Sequence, residues 1–278
     1  MKKIISFILI LSISFTFEIA DAIGKYGAVA SSKEDASQIG IDVLKKGGNA
    51  IDAAVAVAFA LSVTHPSAGN LGGGGFMIIR LANGKVTTID FREKAPQLAS
   101  KDMYLDDNGN VISDKSKYTS WASGIPGTVY GLGYAHEKYG TKSWSYLLNP
   151  AIDLASKGFK LSSRDAKYLN IAHKFLSIDI EAFKIFASQD KYRVGDLFIQ
   201  RDLAYTLQRI SIDGYREFYE GQTSRMIEKC MIRTNGIISK EDLLIYRPVE
   251  RRPIEFTYKG YKIYSMPPAS SGGICLAE

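Results

Sequence analysis

Arg92 is the side chain in this sequence best suited by type to hold an anionic ligand. It stands in the run Asp90-Phe91-Arg92-Glu93. A guanidinium is planar and donates two parallel hydrogen bonds, which match the fork of a carboxylate. Arg92 also has a plain reading, a surface arginine paired with Glu93 or Asp90, and spacing alone leaves both open. Four consecutive glycines, Gly72 to Gly75, lie upstream. A phosphate cradle needs a helix starting behind such glycines, and usually a lysine. Here a strand-like run comes next, no Gly-Lys-Ser/Thr is present, and Met77 breaks the G-x-G-x-x-G spacing. Nucleotide binding is rejected, and the glycines read as a tight turn that lets backbones approach closely.

Groups for covalent or acid–base chemistry are scarce. There is no G-x-S-x-G, and Ser270-Ser271-Gly272 has no histidine nearby in sequence. The three histidines, His65, His136 and His173, fall at a helix end and in two helical stretches, and read as structural or surface residues. His136-Glu137 lacks the second histidine of the zinc-helix motif, because position 140 is glycine. The carboxylates show no paired spacing that points to acid–base work. No metal and no cofactor is expected. Cys230 and Cys275 are far apart in sequence, and both a disulfide and two free thiols fit that spacing.

The elements that must position Arg92 can be read in chain order. Tyr26–Ala30 is a short apolar run of strand type. Ser31 and Glu34 have capping-box form ahead of a helix that stops at Gly47-Gly48. Asn49 is an N-cap for a second helix, Ala50 to about Val63, with Asp52 in its first turn. That helix is apolar on all faces, so it should lie between layers. His65-Pro66 ends it. Phe76–Leu81 and Lys85–Arg92 read as strands joined by Ala82-Asn83-Gly84, a strong hairpin signal. Alternation puts Val86, Thr88, Asp90 and Arg92 on one face of the second strand, and Thr87, Ile89 and Phe91 on the other.

Residues 97–120 read as loop, and a helix should then run to about Tyr139. Gly131 and Gly133 within it imply close backbone packing. Further helices are expected at Ser143–Leu148, Pro150–Lys157, Arg164–Ala187, Asp202–Ile212 and Ser224–Arg233, with a short one from Ser239. A last hairpin pairs Pro253–Tyr258 with Tyr261–Met266. Mixed strands and helices without repeats or linkers place the chain in the α/β or α+β classes.

Composition is ordinary for a globular protein: 278 residues, 46% hydrophobic and 23% charged, with a net charge of +6. That length supports a sizeable core. The positive charges are scattered, and no basic stripe with interleaved aromatics supports nucleic-acid binding. Lys2 and Lys3 precede an apolar run from Ile4 to Phe17, and Ala20-Asp21-Ala22 has the small-x-small form of a signal-peptidase site. Residues 1–22 therefore read as a cleaved secretory signal, its apolar run too short to span a bilayer comfortably, with an uncleaved anchor as the alternative. No later stretch is suited to crossing a membrane. Cleavage removes two lysines and two acidic residues, so the mature charge stays +6.

Six motifs resemble the γ-glutamyltranspeptidases (glutathione hydrolases) and occur in that family's order. They are Gly48-Asn49-Ala50-Ile51-Asp52-Ala53-Ala54-Val55-Ala56, Gly69-Asn70-Leu71-Gly72-Gly73-Gly74-Gly75-Phe76-Met77 and Asp90-Phe91-Arg92-Glu93-Lys94-Ala95-Pro96, then Gly124-Ile125-Pro126-Gly127-Thr128-Val129, Asn235-Gly236 with Glu241-Asp242-Leu243, and Met266-Pro267-Pro268-Ala269-Ser270-Ser271-Gly272-Gly273. The resemblance implies an N-terminal-nucleophile hydrolase fold, an αββα sandwich present here in incomplete form. It implies an exported, bacterial and periplasmic protein, and γ-glutamyl compounds such as glutathione as substrates. In the family a threonine freed by self-cleavage attacks the γ-glutamyl amide with its own α-amine as base, and backbone N–H groups stabilise the oxyanion. Water, an amino acid or a peptide then takes the γ-glutamyl group. The family's D-F-R-E-x-A-P arginine binds the substrate α-carboxylate, a role that falls on Arg92.

Beyond these motifs the sequence departs from the family. No threonine lies in a Thr-Thr-His junction; Thr87-Thr88 sits in a strand and is followed by Ile89. Ala269 stands where the family usually has a third proline, and Cys275 where it often has histidine. The expectation is thus a truncated large-subunit domain over 23–278, with no catalytic residue of its own and inactive alone. Its rivals are half of a split enzyme completed by a separately encoded C-terminal chain, and a non-catalytic exported binding or structural remnant.

Overall fold

Asn49 and Asp52 set the first long element. Asn49 Oδ1 accepts the N–H groups of Ile51 and Asp52, and Asp52 Oδ2 accepts that of Asn49 at 2.8 Å. This reciprocal cap starts the helix Ala50–Thr64. The computed structural model describes residues 23–176 and 179–278; the segment read as a secretory signal lies outside them. In chain order the elements are α1 (Glu34–Lys45), α2 (Ala50–Thr64), β1 (Phe76–Arg80), β2 (Val86–Asp90), α3 (Lys115–Tyr118), α4 (Thr128–Tyr139), α5 (Trp144–Lys157), β3 (Phe159–Lys160), α6 (Ser163–Leu176) and α7 (Ile180–Phe186). Next come β4 (Leu197–Phe198), α8 (Arg201–Asp213), α9 (Glu217–Glu220), α10 (Gln222–Arg233), α11 (Lys240–Ile245), β5 (Val249–Arg251), β6 (Ile254–Tyr258), β7 (Tyr261–Ser265) and α12 (Gly272–Ala277).

The class is α+β. Among the described residues the strands form an antiparallel sheet in the order β1-β2-β5 and two two-stranded ribbons, β3-β4 and β6-β7. Helix α2 packs against α1, α4 and α5, and α4 packs against β2. The expected interlayer position of α2 holds: Val55, Ala56, Phe59, Ala60 and Val63 are fully buried, and only the stripe of Ala50, Ala54, Ala58 and Leu61 reaches towards solvent. Asp52 is buried as well, and its carboxylate also accepts the Thr141 hydroxyl and the Thr141 and Lys142 N–H groups. These bonds make burial of the charge tolerable.

Both expected hairpins form. Phe76–Arg80 pairs with Val86–Asp90 around Gly84, whose φ of 84° needs a glycine. β6 pairs with β7. Five other expectations fail for identifiable reasons. Tyr26–Ala30 has no strand beside it among the described residues and forms none. Ser31 does not cap α1, because its hydroxyl turns to the Lys33 carbonyl, and Lys33 takes the cap position. The two helices drawn around Pro150 are one, α5. There, packing on α2 and α8 outweighs the hydrogen bond that proline removes. The long helix drawn over Arg164–Ala187 is two, since the Asp179 carboxylate accepts the Ala182 N–H at 2.7 Å and starts α7 afresh. The stretch 97–120 holds the short α3 rather than loop alone.

Alternation along β2 holds as far as Asp90, but it does not sort core from solvent. Thr87, Thr88, Ile89 and Asp90 are all buried: β2 is the central strand, flanked by β1 and β5, and α4 packs against it. The strand ends at Asp90, so Arg92 is on the loop beyond it. The glycines of α4 make the packing possible. A Cβ on Gly131 would stand 2.2 Å from the Phe91 ring, and one on Gly133 2.2 Å from Tyr215. In an exposed helix Gly→Ala gains about 1 kcal/mol, whereas overpacking costs about 1–3 kcal/mol. Gly131→Ala should therefore lower the urea midpoint of the chain despite better helix propensity. An unchanged or higher midpoint would contradict this packing.

Candidate functional site

The backbone around Arg92 is held by groups brought from several other parts of the chain. Asp90 Oδ1 accepts the Arg92 N–H at 3.0 Å, and Asp90 Oδ2 accepts Nε of Arg251 at 2.9 Å. Tyr246 Oη donates to the Arg92 carbonyl at 2.9 Å. The glycine run lies against the same peptides. A Cβ on Gly74 would meet the Phe91 carbonyl at 2.6 Å and the Glu93 nitrogen at 2.8 Å, and one on Gly127 would meet the Phe91 carbonyl at 2.0 Å. Gly73 contributes differently, its carbonyl accepting the Gly127 and Thr128 N–H groups at the start of α4. Asn70 locks the turn, accepting from the Gly73 N–H and the Thr128 hydroxyl. The glycines are thus packing and turn residues, as their sequence context indicates.

The Arg92 side chain is treated differently from its backbone. It is 56% exposed, with Nε 3.1 Å from Glu93 Oε2 and the guanidinium 5.8 Å from the Phe76 ring centre. Glu93 Oε2 is buried and takes no aligned hydrogen bond, so this is a charge contact that engages only the Nε side. Among the described residues the terminal nitrogens make no hydrogen bond and Arg92 pairs with no acidic residue other than Glu93; it lines a cleft of about 390 Å³ together with Glu93, Pro96, Tyr104, Trp121 and Ser123. A fork left open at its terminal edge suits a carboxylate. Arg92 thus pairs with Glu93, as its plain reading has it, while its guanidinium remains half-exposed at the cleft.

Elsewhere along β2 is a carboxylate hub that sequence reasoning missed. Glu250 accepts from the Thr87 hydroxyl at 2.6 Å, Tyr139 at 3.0 Å and Tyr134 at 3.2 Å, and pairs with Lys138. It ties β5 to β2 and α4. Burial by itself would raise the Glu250 carboxyl, but the Lys138 ammonium and the Thr87 and Tyr139 hydroxyls bring it down to about 2. Burial also raises the Tyr246 phenol well above its ordinary value, with the Asp90 and Glu93 carboxylates adding to it. Tyr246 is thus a protonated donor at any physiological pH.

The remaining candidates do not join Arg92. Ser270 Oγ accepts the Gly272 N–H in the turn before α12, and Ser271 is exposed. His136 bonds the Lys142 carbonyl and packs on Trp144, and His173 packs on Phe183. His65 caps the C-terminus of α2, where burial and the Lys33 and Arg164 charges lower its basicity. Both cysteines are free thiols. Among the described residues no cluster could hold a metal ion, and no helix is long and apolar enough to cross a membrane. Two further hollows, of about 190 and 550 Å³, share Pro66 and Phe186 and have no residue in common with the Arg92 cleft.

The fold is that of solved γ-glutamyltranspeptidases, which are N-terminal-nucleophile hydrolases. The gamma-glutamyltranspeptidase family model matches residues 36–278. A glutathione hydrolase proenzyme of Escherichia coli is 48% identical over 256 residues, 91% of this chain and 44% of that protein. The crystal structure of Helicobacter pylori gamma-glutamyltranspeptidase superposes with a TM-score of 0.90 at 49% identity, covering 92% of this chain and 74% of that one. The Pseudomonas nitroreducens enzyme complexed with L-DON gives 0.86 at 40%, covering 91% and 75%. This chain belongs to the γ-glutamyltranspeptidase family. It spans 44% of the length of glutathione hydrolase proenzymes such as those of Escherichia coli and Bacillus subtilis.

A depressed carboxylate stabilises the fold above its unfolded value, and that stability is lost as pH falls through the folded value. Glu250 should therefore contribute fully above its ordinary 4.5 and progressively less towards 2. Glu250→Gln should lower stability at neutral pH and flatten the acid limb between those values. Parallel acid limbs for the two proteins, followed by tryptophan fluorescence, would contradict the hub.

Proposed function

We propose that this chain supplies the carboxylate-binding part of a γ-glutamyltransferase/glutathione hydrolase site. Arg92 holds the α-carboxylate of γ-glutamyl donors such as glutathione. The threonine that attacks the γ-glutamyl amide starts a small subunit outside these 278 residues, made on the same precursor or as a separately encoded chain. The observation that carries this reading is the contrast at Arg92: a backbone clamped by Asp90, Tyr246 and the glycine turn, and a guanidinium with its terminal edge open to a cleft. Family membership supports it. Residues 1–22 act as the secretory signal and 23–278 as the large-subunit part of an exported, periplasmic enzyme.

The chemistry is set by what the residues offer. One cation orients a γ-glutamyl group but breaks no amide bond, and removing a nucleophile costs on the order of 10⁶ in rate. The chain alone should release no chromophore from a γ-glutamyl anilide. Turnover above the buffer blank that disappears in Arg92→Ala would overturn this. Grafted in place of the matching segment of the Escherichia coli proenzyme, residues 36–278 should give an active enzyme. There Arg92→Ala should raise KM for the γ-glutamyl donor at least about 10-fold, the loss of a charge-assisted pair. Arg92→Lys should restore only part, because an ammonium lacks the planar fork. An unchanged KM in Arg92→Ala would remove the assignment.

A further inference from the structure

We propose that Tyr246 is a positioning residue for the substrate carboxylate, acting through the carbonyl of Arg92. This rests on the reading of Arg92 given above. An arginine side chain has several freely rotating bonds, so the surrounding protein can fix its reach mainly by fixing its root. The root is held on both sides, by Asp90 at the N–H and by Tyr246 at the carbonyl. Tyr246 comes from 154 residues away in sequence and stands directly behind α11.

The tyrosine is itself immobile. It is 1% exposed, and its ring stacks on Tyr219 with centres 5.7 Å apart and planes 11° from parallel. Tyr219 in turn donates to the Pro126 carbonyl and accepts the Tyr130 N–H. The hydroxyl fills a space made for it, since a Cβ on Gly127 would stand 2.2 Å from Tyr246 Oη.

Helix α11 grips the same loop at further points. Asp242 Oδ1 accepts the Gln97 N–H at 2.9 Å, while Asp242 Oδ2 serves the Ser239 cap that starts the helix. Lys94 Nζ donates to the Arg247 carbonyl at 2.9 Å and lies 5.1 Å from the Tyr246 ring centre. Contacts from Asp242 to Arg247 therefore bracket the loop from Arg92 to Gln97. A tyrosine that merely fills space would serve as well without its hydroxyl. One that positions Arg92 would not.

The test is Tyr246→Phe in the active graft, comparing a γ-glutamyl anilide with a 4-aminobutyryl anilide, which lacks the α-carboxylate. The variant should lower the preference for the γ-glutamyl donor about 2- to 10-fold, the range of one net hydrogen bond. The change should fall on KM of that donor and leave the 4-aminobutyryl reaction as it was. Equal losses on both donors, or an intact preference in a variant whose Arg92→Ala counterpart has lost it, would overturn the positioning role. A preference that survives Arg92→Ala would instead remove the Arg92 assignment, and the role of Tyr246 with it. Amide exchange on the chain itself gives a readout independent of activity. Tyr246→Phe should speed exchange across residues 90–97 and leave α2 protected. Unchanged exchange across 90–97 would overturn the proposal whatever the graft shows.

Discussion

The structure depends on a close approach of backbones at Phe91 and Arg92. Gly74, Gly127 and Gly131 each come so near these residues that a single methyl group would collide with them. Three chain segments, the glycine turn, the start of α4 and the end of β2, meet where ordinary side chains would hold them several ångströms apart. What the glycines give up in conformational entropy is offset by packing of Phe91 and by backbone hydrogen bonds that only this proximity allows. The Gly73 carbonyl, which takes both N–H groups at the start of α4, is one such acceptor.

A rigid root and an open tip are the result at Arg92. Buried polar groups are expensive unless satisfied, and here most are: Asp90 serves Arg251 and the Arg92 N–H together, and Glu250 collects three hydroxyls and an ammonium. The Arg92–Glu93 pair is of another kind. Arg92 is 56% exposed, and the pair is made at Nε, so an incoming carboxylate can meet the guanidinium without taking it from the buried Glu93 Oε2. The scaffold is stabilised by hydrogen bonds at the root of Arg92, and its guanidinium is left half-exposed at the cleft.

Under the proposed function, binding and bond breaking fall to different groups. Recognition of a γ-glutamyl group and attack on its amide are separable tasks. The first requires a well-placed cation; the second requires a nucleophile with a base and oxyanion donors.

Local spacing was enough to read Asn49 with Asp52 as a cap, the Asn83-Gly84 hairpin, the short helix behind Ser239 and the close packing at Gly131 and Gly133. Each is a relation between residues a few positions apart, and hydrogen-bond geometry at that range depends little on context. The order of six motifs carried the family, and through it the role proposed for Arg92. Sequence periodicity failed where tertiary packing overrode local preference, as at Pro150 within α5, or where a pairing partner decided the outcome, as for Tyr26–Ala30 and the three-residue strand β5. It was silent on Tyr246, Arg251 and Glu250, because a tyrosine or glutamate that bonds across 111 to 163 residues looks locally like any other. The residue types at the site were the sequence's to determine; which atoms hold Arg92 in place was decided by the fold, since only folding brings those distant groups within hydrogen-bond reach.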